Sequence, residues 1–119
     1  MAYHRGDIIE VPFLIPHNNK TENHPAVIIS NEAVHDNEQI YICVMITHSD
    51  INDVFSFILA PEMFNNSNNA PNGKAKSHLI AYVPESHIIK NSNYNKCRMK
   101  PLFVDKLVQF ITITALMED

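Results

Sequence analysis

Residues 39–47 constrain the fold more than any other segment, because apolar side chains occupy both alternating sets of positions. The two sets are Ile40, Ile42, Val44 and Ile46, and Tyr41, Cys43, Met45 and Thr47. Successive side chains of a strand point to opposite sides of a sheet, so this pattern predicts a strand that is covered on both faces. Such a strand needs partner strands on either side and further elements packed above and below the sheet.

Shorter β-rich runs bounded by turn-forming residues occupy much of the remaining chain, at residues 7–14, 26–29, 54–60, 77–83 and 87–89. Pro12 indicates an edge or a bulge in the first run, and Pro84 separates the last two. Residues 65–73 are rich in asparagine and predict a long loop.

The pattern becomes helical from Pro101 onward. Phe103, Leu107 and then Phe110 or Ile111 recur at intervals of three and four residues, and proline suits the first helical position. Earlier in the chain, Ser30 and Asn31 can cap a brief helical turn. Several short strands, one terminal helix and no alternation of strands with helices predict a mainly β fold with a C-terminal helix (α+β), arranged as a small antiparallel barrel.

The length of 119 residues fits one domain, which we expect to span residues 1–119. No apolar run approaches the ~18 residues that a membrane span requires, and the N-terminus lacks the apolar core of a signal peptide. We therefore expect a cytoplasmic protein without membrane contact. In that reducing compartment Cys43 is interpreted as a small buried hydrophobe, and a disulfide with Cys97 is not expected.

The net charge of −4 argues against broad electrostatic attraction to nucleic acid. Most of the lysines lie in the second half of the chain, where a local basic face and scattered solvated charges both remain open. The seven histidines form none of the usual zinc motifs, and Gly6 and Gly73 are too few for a phosphate-binding glycine loop. We therefore expect no metal and no cofactor.

Several short motifs spread over most of the chain resemble the PemK/MazF-like toxins. They are Arg5-Gly6-Asp7, residues 24–31, residues 44–47, Ser77 and the terminal helix. The resemblance implies an SH3-like barrel that forms a homodimer. It also implies the toxin of a type II toxin-antitoxin pair, a sequence-specific endoribonuclease that cleaves single-stranded RNA without a metal. A cognate antitoxin is the implied protein partner, and DNA is reached only indirectly through that partner.

The resemblance places the catalytic positions at His24 and Thr47. Thr47 matches the family pattern, whereas His24 occupies the position where the family usually has arginine. Arginine is always charged and grips phosphate with a planar fork, while an imidazole is mostly neutral at pH 7 but suits proton transfer. His24 is thus either a general acid or base or a structural histidine where a loop meets a strand.

The flanking residues supply the expected substrate contacts, which are His17, Lys20, Glu22, His48 and Ser49. Lys20 would provide positive charge near the phosphate, and His17 and Glu22 lie in the loop that covers the RNA site in the resembled toxins. An ordinary polar hairpin loop and a surface histidine at position 48 are the competing interpretations.

A different class of function also remains open. Loss of the arginine and the acidic net charge favour a catalytically weak or inactive binding module, which would keep a groove for an antitoxin peptide or nucleic acid.

Overall fold

The computed structural model describes residues 3–15 and 18–118, and there the chain forms an open five-stranded antiparallel sheet with a C-terminal helix. The strands are β1 (Ile8–Leu14), β2 (Thr21–Ile28), β3 (Ile40–Thr47), β4 (Ser56–Ile58) and β5 (Lys74–Pro84). Their order in the sheet is β1-β2-β3-β5-β4. Helix α1 spans Glu32–Glu38 and helix α2 spans Pro101–Ile111, which a π-helical turn extends over Thr112–Leu116.

Strand β3 is the central strand that the sequence predicts. It pairs with β2 on one side and with β5 on the other. Val44 and Ile46 pack in a core with Leu107 and Ile111 of α2. Cys43 and its neighbours on the opposite face form a second core with the odd-numbered apolar residues of β1. Burial on both faces explains why nearly every residue of this strand is apolar.

The fold class is confirmed as an antiparallel sheet with a C-terminal helix. Within the described residues, β1 and β4 are the two edges of the sheet and do not pair with each other, so hydrogen bonds do not close it into a full barrel.

Residues 87–89 were expected to form a short strand, and that expectation is wrong. Pro84 ends β5, and the chain then makes a 3₁₀ turn over Glu85–His87. The amide of Ile89 donates to the carbonyl of Glu10 at 3.0 Å, which fastens this segment beside β1 without forming a ladder. The predicted strand at 54–60 is also shorter, since only Ser56–Ile58 pair with β5.

Both helices begin as the sequence predicts. The Asn31 side chain accepts a hydrogen bond from the Val34 amide at 3.3 Å, which caps α1, and Pro101 occupies the first turn of α2. Val104, Leu107 and Ile111 recur on one face of α2 and are buried against the sheet. No helix in the described ranges is long and apolar enough to cross a membrane.

Candidate active site

The two predicted catalytic residues lie on neighbouring strands, with Thr47 at the end of β3 and His24 the fourth residue of β2. Strands β2 and β3 pair antiparallel as far as Ala26 opposite Met45. Continuing that register by two residues on each strand brings the positions of His24 and Thr47 opposite each other. Alternation along the strands assigns both residues to the face that carries Met45, because side chains two residues apart share a face. Both residues are half-buried.

The backbone turns sharply where β3 ends, and Thr47 is part of that turn. Its hydroxyl oxygen Oγ1 accepts a hydrogen bond from the amide of Ser49 at 3.2 Å. The Ser49 hydroxyl in turn accepts one from the amide of Ile51 at 3.2 Å. Local bonds of this kind fix the exit of the chain from the strand. Thr47 is therefore held at a defined position, with its hydroxyl proton still available to donate.

Two lysines of β5 hold the segment that follows Thr47. Lys74 lies directly opposite Thr47 in the sheet, and its Nζ donates to the carbonyls of Ser49 at 2.9 Å and Ile51 at 3.2 Å. Lys76 is buried, and its Nζ donates to Asp53 Oδ1 at 2.8 Å. This bond to Lys76 lowers the pKa of the Asp53 carboxyl below its usual value. Residues 48–53 are thus fixed to β5 at two points.

Neither lysine was singled out from the sequence as a site residue. The signal available was Lys-x-Lys directly after Asn72-Gly73, where a strand opens. Only the pairing of β3 with β5 places the first of these lysines opposite Thr47.

His24 lies inside β2, three residues after the strand begins, and not at the loop-strand junction that the sequence suggested. Its Nδ1 lies 3.4 Å from the carbonyl oxygen of Glu22, and His24 itself pairs across the sheet with Val11. A bond of that length holds the ring weakly. Glu22 was expected in a loop, and that expectation is wrong: it belongs to β2, where it is exposed and lies opposite Phe13. It shares a face with His24 because the two are two residues apart.

Of the other predicted substrate contacts, some lie beside Thr47 and one lies far from His24. His48 and Ser49 are exposed and directly follow Thr47. Lys20 lies in the turn between β1 and β2, where its amide donates to Asn18 Oδ1 at 2.9 Å. Four residues of extended chain separate Lys20 from His24, which amounts to about 13 Å. His17 lies outside the described residues.

Both arginines of the chain are engaged elsewhere. Arg5 pairs with Asp105 of α2 at 2.9 Å and donates from Nε to the carbonyl of Ile29 at 3.2 Å. Arg98 pairs with Asp7 at 2.7 Å. Arg5 therefore joins the chain just after β2 to the terminal helix.

An apolar depression of about 240 Å³ opens on the same face of the sheet as Met45. It is lined by Phe13, Leu14, Met45 and residues 78–81. The ring of His78 packs against that of Phe55 with 4.3 Å between centroids. Aromatic and apolar surfaces beside a polar strand end can stack unpaired bases.

The remaining candidate groups show no catalytic arrangement. Within residues 3–15 and 18–118, no cluster of three or more histidine, cysteine, aspartate or glutamate side chains could hold a metal ion. Cys43 and Cys97 are free and buried. Burial raises the pKa of the Cys43 thiol to about 12, and it also raises the pKa of Cys97. Both thiols are protonated near neutral pH and are poor nucleophiles.

A second polar cluster lies at the opposite end of β3. The His35 ring stacks on Tyr41 with 4.7 Å between centroids, and the Tyr41 hydroxyl donates to Glu85 Oε1 at 2.7 Å. Burial, reinforced by this carboxylate, raises the pKa of Tyr41. Six residues of strand separate Tyr41 from Thr47, about 20 Å, so this cluster is distinct from the candidate site.

Comparison with solved structures supports the fold over nearly the whole chain. An endoribonuclease in complex with its cognate antitoxin from a mycobacterial species aligns with a TM-score of 0.70 and 12% identity, covering 98% of both chains. A MazE-MazF structure from Deinococcus radiodurans aligns with a TM-score of 0.67 and 9% identity, covering 99% of this chain and 100% of that one. No curated protein matches at the sequence level.

Residues 4–99 match the family model for the PemK-like, MazF-like toxin of type II toxin-antitoxin systems. That match places the chain in a class of toxins from type II toxin-antitoxin systems. The chain belongs to the PemK-like, MazF-like family.

Proposed function

We propose that this protein is a sequence-specific endoribonuclease that cleaves single-stranded RNA without a metal ion, acting as the toxin of a type II pair. The proposal is supported by the β2–β3 register, which brings His24 opposite Thr47 when it is continued two residues past Ala26 and Met45, in a chain of this toxin family. The mycobacterial neighbour, an endoribonuclease by its description, supports it.

In the proposed reaction the RNA supplies its own nucleophile. The 2′-hydroxyl oxygen bonds to phosphorus, and the bond from phosphorus to the 5′-oxygen breaks. The products are a 2′,3′-cyclic phosphate and a free 5′-hydroxyl. His24 moves one of the two protons, as base from the 2′-hydroxyl or as acid to the leaving 5′-oxygen, and water exchanges the other. Thr47, whose Oγ1 already accepts from the Ser49 amide, donates its own proton to a phosphate oxygen.

The neighbouring side chains would hold the substrate around that phosphate. His48 and Ser49 leave the strand directly beside Thr47, and Glu22 shares a face with His24. The depression beside Phe13 offers an apolar surface for a base. His17 and Lys20 remain proposed contacts from the sequence. Lys20 lies in the turn before β2, about 13 Å of extended chain from His24.

We further propose that the protein works as a cytoplasmic homodimer and is restrained by a cognate antitoxin. Family membership supports both statements, and the solved MazE-MazF complex shows the kind of assembly that a relative forms. DNA would be reached only through the antitoxin. Light scattering across a dilution series tests the dimer, and a monomer at micromolar concentration would remove this part of the proposal.

The decisive experiment is incubation of the purified protein with a long single-stranded RNA in chelator, followed by mapping of the new 5′ ends. We expect cuts at a short recurring sequence that leave 5′-hydroxyl ends. His24→Ala and Thr47→Ala should each slow cleavage by about 100-fold or more.

Matched controls separate chemistry from folding. His87 and Thr112 are exposed residues away from the site, so His87→Ala and Thr112→Ala should cleave at wild-type rates. Intact RNA over a wide range of wild-type protein, combined with measurable RNA binding, would favour the inactive binding module instead. Cleavage that survives His24→Ala and Thr47→Ala unchanged would disprove the site assignment.

A further inference from the structure

The proposed reaction needs fixed positive charge beside the phosphate, and His24 supplies it poorly. Negative charge builds on the phosphoryl oxygens in the transition state, and preorganised cations or donors there contribute strongly to the rate. A neutral imidazole provides a proton-transfer group but no permanent charge. Arg5 and Arg98 are already paired with Asp105 and Asp7. A lysine is the remaining kind of fixed cation.

Lys74 is the lysine that the sheet places at the site. It is the direct cross-strand partner of Thr47 in the pairing of β3 with β5. Directly opposite residues of an antiparallel pair have Cβ atoms about 5 Å apart and lie on the same face. Two hydrogen bonds also connect the residues, because Ser49 donates its amide to Thr47 Oγ1 and accepts from Lys74 Nζ through its carbonyl.

The bonding of Lys74 leaves both its charge and one donor available. An ammonium group has three N–H donors, and those of Lys74 that the structure engages go to the carbonyls of Ser49 and Ile51. Those acceptors are neutral, so they orient the ammonium without cancelling its charge. Among the described residues, Lys74 makes no ion pair with a carboxylate.

The other nearby lysines differ in ways that matter. Lys76, two residues along the same strand, is buried and neutralised by Asp53. Lys20 lies about 13 Å of extended chain from His24. Lys74 is half-buried beside Thr47, where its charge is screened less than that of a fully exposed lysine.

We propose that Lys74 binds the scissile phosphate of the RNA and supplies the fixed positive charge that His24 lacks. Two carbonyl groups aim its ammonium, and the third N–H contacts a non-bridging phosphate oxygen while Thr47 contacts the same phosphate. This assignment rests on the proposed ribonuclease function.

The test compares Lys74→Met and Lys74→Arg with Lys90→Met, a matched loss of charge at an exposed position. Cleavage of a single-stranded RNA is followed in chelator. RNA binding is measured at KCl concentrations from about 50 to about 300 mM. The ligand is the same RNA with a 2′-deoxy nucleotide at the mapped cut. That substitution removes the nucleophile and keeps the phosphate.

We expect Lys74→Met to lower kcat/KM by about 100-fold. It should also reduce the slope of log affinity against log salt by about 0.7, the contribution of one neutralised phosphate on a single strand. Lys74→Arg should keep the wild-type slope and recover most of the activity. Lys90→Met should match wild type in both measurements.

Three outcomes overturn the assignment while leaving the ribonuclease proposal intact. The first is wild-type cleavage by Lys74→Met. The second is slower cleavage with an unchanged salt slope, which would make Lys74 a positioning residue for the loop after Thr47. The third is failure of Lys74→Arg to restore the slope in a variant with a wild-type circular dichroism spectrum and unfolding midpoint. If wild type neither cuts nor binds RNA, the proposed function fails and this assignment fails with it.

Discussion

Gly73 is the residue at which a single methyl group should disturb both stability and the site. Its φ of +112° lies in the region that favours glycine, and a Cβ built there would lie 2.1 Å from the carbonyl oxygen of Thr47. That oxygen belongs to the backbone at the end of β3, so it cannot move aside as a flexible side chain would. Gly73→Ala therefore forces either the turn before β5 or the end of β3 to shift by about 1 Å.

The cost has two parts that can be worked from this geometry. A non-glycine residue in a sparsely populated backbone region costs about 1–3 kcal/mol. Overpacking against fixed neighbours costs about 1–3 kcal/mol more. We expect Gly73→Ala to lower the free energy of unfolding by about 3 kcal/mol, which with a urea m-value of about 1.5 kcal/mol/M moves the midpoint down by about 2 M.

Urea titration followed by circular dichroism measures this effect, with Asn72→Ala as the control at the adjacent exposed position. Asn72→Ala should remain within about 0.5 kcal/mol of wild type. RNA cleavage by folded Gly73→Ala should also fall, since Thr47 moves with its carbonyl. A midpoint for Gly73→Ala within error of that of Asn72→Ala would refute the packing argument.

Three further measurements test other parts of the structure. Leu107→Ala should cost about 2–5 kcal/mol by urea titration because Leu107 is fully buried, whereas Leu102→Ala, at a 60% exposed position, should cost little. The buried Cys43 thiol, whose pKa is raised from 9.0 to about 12, favours folding below pH 9. That contribution is lost as the pH rises above 9, by about 1.4 kcal/mol at pH 10, and should be missing from Cys43→Ala. Asp53→Asn should lower the urea midpoint at pH 7, and the gap to wild type should close as the pH falls below 3.8 through the lowered pKa of Asp53; a constant gap would contradict the bond to Lys76.

The sequence predicts the fold well where apolar periodicity is strong. Residues 40–47 alternate between two faces, and the structure makes them the central strand β3, whereas Gln39, which the prediction included, caps the C-terminus of α1. Asn31 and Pro101 mark the starts of α1 and α2 through local hydrogen bonding and backbone restriction, which are readable without tertiary information. Residues 87–89 were wrongly predicted as a strand because an apolar run can be buried without pairing. Their apolar character serves burial of Ile88 beneath β1, and no ladder forms.

The candidate site is less readable because its geometry depends on register. The sequence singles out His24 and Thr47 by family resemblance, and the register of β2 with β3, continued two residues past Ala26 and Met45, brings those positions opposite each other. Nothing local indicates that Lys74 faces Thr47. The pairing shifts between Val44 and Ile46, so counting back from the regular part of the ladder would assign a different partner. Between the Val44–Ile80 and Ile46–Ala75 pairs, β3 advances by two residues and β5 by five, and this irregularity changes which side chains meet.

The histidine at position 24 is therefore not by itself evidence against catalysis. An arginine at that position would hold charge and orient phosphate together, and it could not exchange protons near neutral pH. In the proposed mechanism the two tasks fall to different strands, with the His24 imidazole on β2 and the Lys74 ammonium on β5, the two strands that flank β3. Proton transfer and electrostatic stabilisation are separate contributions to the rate, and here both would act on the same phosphate. Loss of Lys74 and loss of His24 should therefore be non-additive, and kcat/KM of the double variant should fall by clearly less than the product of the two single effects, because both groups serve one step at one phosphate.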